Sequence, residues 1–288
     1  MSNQTNPFHA GELEAQRRAG VEDIAASSRG FIRGHMPDQH RAFFAALPFL
    51  VITAGDTEGR PWVSILEGPE GFASSPGPGI LKLDASLAAD DPLADSLVPD
   101  RPVGLLGIEL ATRRRNRLNG RLTATTGGYT VAVSQSFGNC PQYIHEREWH
   151  RAETAAVRSR TSGRLDDAQA ERIAAVDTFF IGSGHRTERH GAANGFDASH
   201  RGGPPGFVRV EDGGALLFPD YPGNNFFNTI RPNRRIPSRG NIEHRAPNVM
   251  TVRAASLVNA ASKFQFGPRM VDGSVSNARR GSSAGFRK

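Results

Sequence analysis

The sequence predicts a mainly β fold (α+β): two small antiparallel β-barrels in tandem, with flanking helices. Three observations carry this. Short apolar or alternating segments, bounded by Gly, Pro, Asp or Asn, recur every ten to fifteen residues with few helical stretches between them, which favours small barrels over a doubly wound sheet. Gly68-Pro69-x-Gly71-Phe72 with Gly79-x-Leu81 returns as Gly203-Pro204-x-Gly206-Phe207 with Gly214-x-Leu216, at a constant offset of 135; six matches without a gap point to duplication, not a solenoid. The 288 residues are 38% hydrophobic and 22% charged, enough apolar material for a packed core.

In chain order, residues 12–33 are predicted as a helix, with Leu13, Val21, Ile24 and Phe31 broadly on one side. Asp38 starts a short helix that Pro48 stops. Phe49 to Ala54 and Pro61 to Leu66 are strands around the turn Asp56-Thr57-Glu58-Gly59, and Ile80 to Leu83 is a short strand. Asp91-Pro92 predicts a helix through Leu97. Val103 to Leu110 is a nearly continuous apolar strand, followed by one from Arg113 to Thr123, and Tyr129 to Val133 alternates as a half-buried strand. Pro141–Arg151 and Asp166–Val176 are predicted as helices, and Thr178 to Ser183 repeats the strand type of Phe49 to Ala54. The organisation expected is a helical segment over 1–37, a first barrel half over 38–150, an incomplete second half over 165–230, and a basic tail over 231–288.

The formal charge of +6 is unevenly placed. Residues 231–288 hold twelve Lys/Arg against only Glu243 and Asp272, a net of +10, which leaves the first 230 residues at −4. Basicity therefore belongs to the tail, and nucleic-acid binding is the least favoured function class. Pro232 and Pro237 break strand and helix patterns there, so the tail is expected to supply no strands. It reads as a disordered basic extension or the product of out-of-frame translation. No apolar stretch reaches the roughly 18 residues of a membrane span, and Met1 to Glu14 lacks an apolar signal core; a soluble cytoplasmic protein is expected. The single cysteine, Cys140, excludes a disulfide framework or a Cys-rich metal site.

The densest chemical signal is Thr112 to Arg121. On a strand, Arg113, Arg115, Arg117 and Arg121 share a face at about 6.6–7 Å per residue pair, a cradle of guanidinium forks for an anion; the alternative is a solvated edge strand. Asp197-Ala198-Ser199-His200-Arg201-Gly202-Gly203 sets Ser199 and Arg201 on one face, with Asp197 able to pair with Arg201. Gly223 to Thr229 gathers Asn224, Asn225, Asn228 and Thr229 around Phe226 and Phe227, donors suited to phosphate or a heterocycle edge, or simply turn chemistry. His185, His190 and His200 read as surface histidines, so no metal site is expected. Cys140 reads as structural or ligand-adjacent. No nucleophile–base set, glycine-rich dinucleotide loop or phosphate-binding Gly-Lys-Ser/Thr loop is present, and catalytic residues stay unassigned.

Several strings together resemble the pyridoxamine 5′-phosphate oxidase-related, FMN-binding split-barrel family: DASHRGGPPGFVRV (197–210), LFPDYPGNNFFNTI (217–230), FLV (49–51) with GRPW (59–62), GLLGIELATRRRNRLNG (104–120) and QSFGNCPQYI (135–144). The resemblance covers about residues 8–230 and is nearest the branch that also forms the front module of ferredoxin-reductase-like flavoproteins. It implies tandem FMN-binding split β-barrels and a homodimer. Ser199, Arg201, Asn225, Asn228 and Thr229 would hold the FMN phosphate and ribityl chain, Phe207 and Phe227 would flank the ring, and Arg115 and Arg117 would face the flavin or its substrate. An FMN-dependent oxidoreductase supplied by NAD(P)H or a partner reductase is implied, with a non-catalytic flavin or electron-transfer module as the alternative. The sequence lacks the Arg-x-x-x-Leu-Leu-Lys string and the C-terminal substrate-binding Arg motif of the vitamin B6 oxidases, so the resemblance extends to flavin binding and not to B6 chemistry.

Overall fold

A computed structural model describes residues 6–151, 165–185, 195–211, 214–229, 248–253 and 264–267. Two short helices open it, α1 (Ala10–Ala19) and α2 (Glu22–Ser27), followed by a single 3₁₀ turn, Arg29–Phe31. The predicted single helix over 12–33 is thus corrected: Gly20 takes φ 66° and closes α1 with its N–H on the Arg17 and Gln16 carbonyls, a left-handed C-cap that ends the run. Helix α3 (Asp38–Ala45) follows.

The centre of the molecule is one antiparallel sheet of seven strands. These are β1 (Phe49–Gly55), β2 (Pro61–Glu67), β3 (Ala73–Gly77), β4 (Ile80–Leu83), β5 (Pro102–Glu109), β6 (Arg114–Ala124) and β7 (Tyr129–Gly138), in the order β2-β1-β5-β6-β7-β4-β3. Asp56 fixes the β1–β2 turn by accepting from the Glu58 and Arg60 N–H groups, the Arg60 guanidinium and the Trp62 indole. The predicted helix after Asp91 is instead a series of turns. The Asp91 carboxylate accepts from the Leu93 N–H and the Ser64 hydroxyl, and that local bonding competes with helix formation.

Every residue of β1 is buried. Leu50, Ile52 and Ala54 join Phe43, Phe44, Leu66, Leu105 and Leu118 on one side, whereas Phe49 and Val51 join Leu106, Ile108, Phe180 and Ala198 on the other. An unbroken apolar strand is what a sheet covered on both faces requires. The cover on the second side is a hairpin of β9 (Thr178–His185) and β10 (Gly195–Gly202). It approaches so closely that a Cβ on Gly104 would lie 2.2 Å from the Phe196 carbonyl oxygen.

Pro141–Arg151, predicted helical, forms turns and then strand β8 (Glu148–Arg151), while α4 (Asp167–Ala175) bears out the helix expected there. Strand β11 (Arg209–Val210) and β12 (Ala215–Asp220) make a second small hairpin. The tail is corrected at two places. Strand β13 (Asn248–Arg253) pairs along the whole of β12, and β14 (Phe264–Gly267) pairs with β8. Both lie well beyond Pro232 and Pro237, and Val249, Thr251 and Val252 are β-branched residues suited to a strand.

The offset-135 repeat is one turn made twice. The Phe72 N–H donates to the Pro69 carbonyl and the Phe207 N–H to the Pro204 carbonyl, both at 3.0 Å. Gly71 and Gly206 take φ 79° and 88°, and a hairpin follows each turn, with Leu81 and Leu216 both buried. Adding a side chain at Gly206 forces an unfavourable backbone. Gly206→Ala is expected to cost about 1 kcal/mol or more in chemical unfolding; an unchanged midpoint would show the turn to be tolerant. Architecture in the plain sense is mainly β, with one large antiparallel sheet, smaller strand groups and few helices.

Candidate anion and cofactor site

Strand β6 carries the arginines through the middle of the large sheet, with Arg115 opposite Ile108 and Arg117 opposite Leu106 on β5, and with β7 on the other side. This overturns the edge-strand alternative. The row is shorter than predicted. Arg113 sits in the turn before β6 at φ 55°, and Arg121 points away to donate to the Asp100 carbonyl at 2.7 Å. Arg117 is 8% exposed and Arg115 is half-buried.

Strand β10 brings up the facing groups. An Arg115 Nη donates to His200 Nδ1 at 2.9 Å, and Arg201 donates to Asp220 at 2.7 Å. Burial pushes Arg115 down to about 10, assisted by Arg117 and Arg201. Burial likewise pushes Arg117 down to about 10, with Asp197 opposing and Arg201 assisting. Both stay charged at neutral pH.

The nearby acids do not balance them. Burial raises Asp197 against the pull of Arg117 and the Asn119 amide, and burial raises Asp220 against Arg201. Glu12 is pushed up to about 8 by burial and the charge of Asp197, so at neutral pH it is largely the uncharged acid. Among the described residues, Arg115, Arg117 and Arg201 stand against Asp197 and Asp220, with Glu12 largely uncharged. The Nε of Arg115, the Nε and one Nη of Arg117 and the Nε2 of His200 are buried without a hydrogen-bond partner. Buried unpartnered donors are costly, about 1–3 kcal/mol each, and a cluster of them calls for an acceptor from outside.

Ser199 and Thr229 are both buried and bond to each other at 2.6 Å. The Asn228 amide donates to Glu12 at 2.9 Å. Asn225 and Phe227 hold left-handed backbones, φ 60° and 58°, of the kind found at ligand sites. Phe207 is packed among Phe179, Ile181, Val208, Leu216 and Phe218. The structure therefore unites Arg115, Arg117 and Arg201 in one cluster, joins Ser199 to Thr229, and sets Phe207 in a separate apolar group. His185 stacks on His9 at 4.2 Å, and His190 lies outside the described residues. Half-buried Cys140 sits close enough to Arg115 to act on its charge.

Sequence reasoning missed His200, placed at the surface but 4% exposed. Its signal was phase: it follows Phe196 and Ala198 at period two, both buried. Glu12 was missed as well. The segment leading into α1 is tied over this region, with the Gln135 amide on the Pro7 carbonyl at 3.2 Å and Phe8 on Phe226 at 5.4 Å. Pro7, Glu12, Asn119, Gln135, Asp197 and Asn228 help line a cavity of about 30 Å³, room for a water or two and not for a flavin ring.

Glu12 gives a pH prediction. Its folded value, about 8, lies above the unfolded 4.5, so the unfolded chain releases this proton first as pH rises. Stability is then lost between about pH 4.5 and 8 and levels off above that. Glu12→Gln is expected to flatten this decline and to raise the melting temperature most at pH 8. Parallel curves for the two proteins would show Glu12 to be charged and well paired.

No family model matches the chain, and no curated protein matches it. Solved structures give faint likenesses. A candidate pyridoxamine 5′-phosphate oxidase from Lactobacillus delbrueckii is 11% identical with a TM-score of 0.29, over 36% of this chain and 95% of that one. HupZ of Group A Streptococcus is 6% identical with a TM-score of 0.29, over 36% of this chain and 93% of its own. A single-residue variant of HupZ is 8% identical with a TM-score of 0.28, over 36% and 98%. At such scores nothing about function passes from them to this chain.

Proposed function

We propose that the chain is an FMN-binding flavoprotein whose phosphate site is the Arg115–Arg117–His200–Arg201 cluster. The observation that carries it is the set of buried guanidinium and imidazole N–H groups without partners, a donor set suited to a phosphate monoester. Thr229, Asn225, Asn228 and Ser199 supply hydroxyl and amide groups for a polar chain beside it. The repeated hairpin–turn–hairpin supports a tandem split-barrel reading over 38–150 and 165–230; the homodimer is proposed from the motif resemblance alone.

Bound FMN would supply hydride or electron acceptance at its N5, which makes an FMN-dependent oxidoreductase fed by NAD(P)H or a partner reductase the function proposed. The chain's own residues hold the phosphate and, with β9–β10 packed on the sheet, keep water from the arginines. A binding module without turnover is separated from this by one observation: NAD(P)H bleaches the flavin of the enzyme and leaves that of the module oxidised.

Binding itself is tested by titrating the protein with FMN and with riboflavin. Arg201→Ala is expected to weaken FMN by about 1.5–3 kcal/mol, the scale of a hydrogen bond to a charged group, and to leave riboflavin, which has no phosphate, unaffected. Equal losses for both ligands would make Arg201 structural, acting through Asp220. Equal affinity of the unaltered protein for FMN and riboflavin would end the proposal.

A further inference from the structure

We infer that His200 is a specificity-determining residue of this site: held by Arg115 as the neutral imidazole with its proton on Nε2, it adds a donor to the cradle, which favours the dianion of a phosphate monoester over the monoanion. The phosphate end of the inference rests on the reading above, and the flavin end is not needed for it.

The tautomer follows from one contact. A guanidinium donates and never accepts, so the 2.9 Å contact from Arg115 to His200 Nδ1 requires a bare Nδ1. A ring with a bare Nδ1 is neutral only when Nε2 carries the hydrogen. That Nε2 is buried without a partner, beside Phe180 at 5.9 Å between ring centres. Protonating Nδ1 would break the bond to Arg115 and place another cation among Arg115, Arg201, His145 and Arg117. Burial and those same charges hold the imidazole well below its ordinary value.

The unpartnered groups of the cradle are donors: the Nε of Arg115, the Nε and one Nη of Arg117, and the Nε2–H of His200. The acceptors close by already have a protein partner each. Asp220 receives Arg201, Asp197 receives the Asn119 amide, and the Ser199 and Thr229 hydroxyls bond to each other. The unpartnered Oδ1 of Asn119 belongs to a residue that lines the small cavity with Gln135 and Asp197. A phosphate monoanion brings a P–O–H that must compete for these already partnered acceptors, and it carries less charge to meet the guanidinium groups. A phosphate monoester loses its second proton at about pH 6, whereas sulfate has no proton to lose in this range.

The groups facing the cradle are Arg115 and Arg117 from β6, Asp197 and Arg201 from β10, Asp220 from β12, Glu12 from α1, and His145 with Cys140 from the segment after β7. Acidification neutralises Glu12, Asp197 and Asp220, and every one of these changes favours an anion. A weakening at low pH therefore cannot come from them.

The test measures FMN, inorganic phosphate and sulfate affinities of the full chain from pH 5 to 8. Affinity for FMN should fall about tenfold per pH unit below about 6, and phosphate should fall below its own second ionisation. Sulfate should hold constant or tighten. In protein labelled with ¹⁵N-histidine, the His200 ring should show an unprotonated Nδ1 and a protonated Nε2 throughout. His200→Gln, which keeps one acceptor and one donor, should retain the phosphate–sulfate contrast within about threefold. His200→Leu should lower FMN affinity tenfold or more with riboflavin unchanged, and if that variant fails to fold the Gln variant and the spectrum still decide. Affinity for FMN or phosphate that is flat or rises toward pH 5, or an imidazolium spectrum, overturns the inference. Absence of any flavin binding would end the cofactor proposal while leaving the phosphate–sulfate contrast as the measure of His200.

Discussion

Gly104→Val is expected to detach the β9–β10 hairpin from the large sheet while leaving the opposite core intact. A Cβ at this position would meet the Phe196 carbonyl oxygen at 2.2 Å, its carbon at 2.6 Å and the Asp197 Cα at 2.8 Å. All three are backbone, so no side chain can swing aside. The hairpin must lift or the sheet must bend, and either exposes part of the cluster built from Phe49, Val51, Leu106, Phe180 and Ala198. Uncovering even two or three such side chains costs about 3 kcal/mol or more. The same movement takes His200 and Arg201 away from Arg115 and Arg117, so FMN affinity should collapse with stability. The core of Phe44, Leu50, Ile52, Leu105 and Leu118 draws nothing from the hairpin. Hydrogen exchange should show β5–β6 pairing still protected while β9–β10 amides exchange freely. A variant as stable as the parent, with full protection in β10, would refute this account of the packing.

The strands of the large sheet were legible because their patterns are local. Phe49 to Gly55 is apolar throughout and is buried on both faces, and the Asp56-to-Gly59 turn carries its own bonding. The duplicated turn was legible because Gly71 and Gly206 answer a backbone need that few other residues meet. Failures occurred where a local rule met a competing partner. Asp91 looked like a helix cap, but its carboxylate is taken up partly by Ser64, a residue 27 positions away. Pro141 opened a helix-like pattern, yet the segment ends in Glu148–Arg151, which pairs with β14, a strand of the tail.

Within the site, Arg115 and Arg117 were readable from spacing alone, whereas their burial was not. It depends on β6 lying between β5 and β7 and on a hairpin some 80 residues later covering it. His200 and Glu12 show the same limit. Nothing next to Glu12 in sequence signals that Asn228, 216 positions on, will donate to it. Long-range burial decides the ionisation of these groups, and a linear pattern records it only as phase.

Arg117→Met should move stability and binding in opposite directions. The side chain is nearly as long, so the space stays filled, but a buried cation with two unpartnered N–H groups is removed. Each such donor costs about 1–3 kcal/mol when left unmet. Against this stand a contact with the Phe137 ring, 5.9 Å from the guanidinium carbon and worth about 0.5–2 kcal/mol, and attraction to Asp197. Asp197 limits its own loss: burial already raises it, so without Arg117 it takes up a proton and remains bonded to Asn119. The ligand-free variant is therefore expected to unfold at higher denaturant, by about 1–3 kcal/mol. FMN affinity should fall by about 1.5–3 kcal/mol, with riboflavin unaffected. Excess FMN should stabilise the parent by mass action and the variant hardly at all, so their melting curves should approach or cross as ligand is added. Loss of stability together with binding would show that Arg117 holds the fold, and that its unpartnered donors are not kept for a ligand.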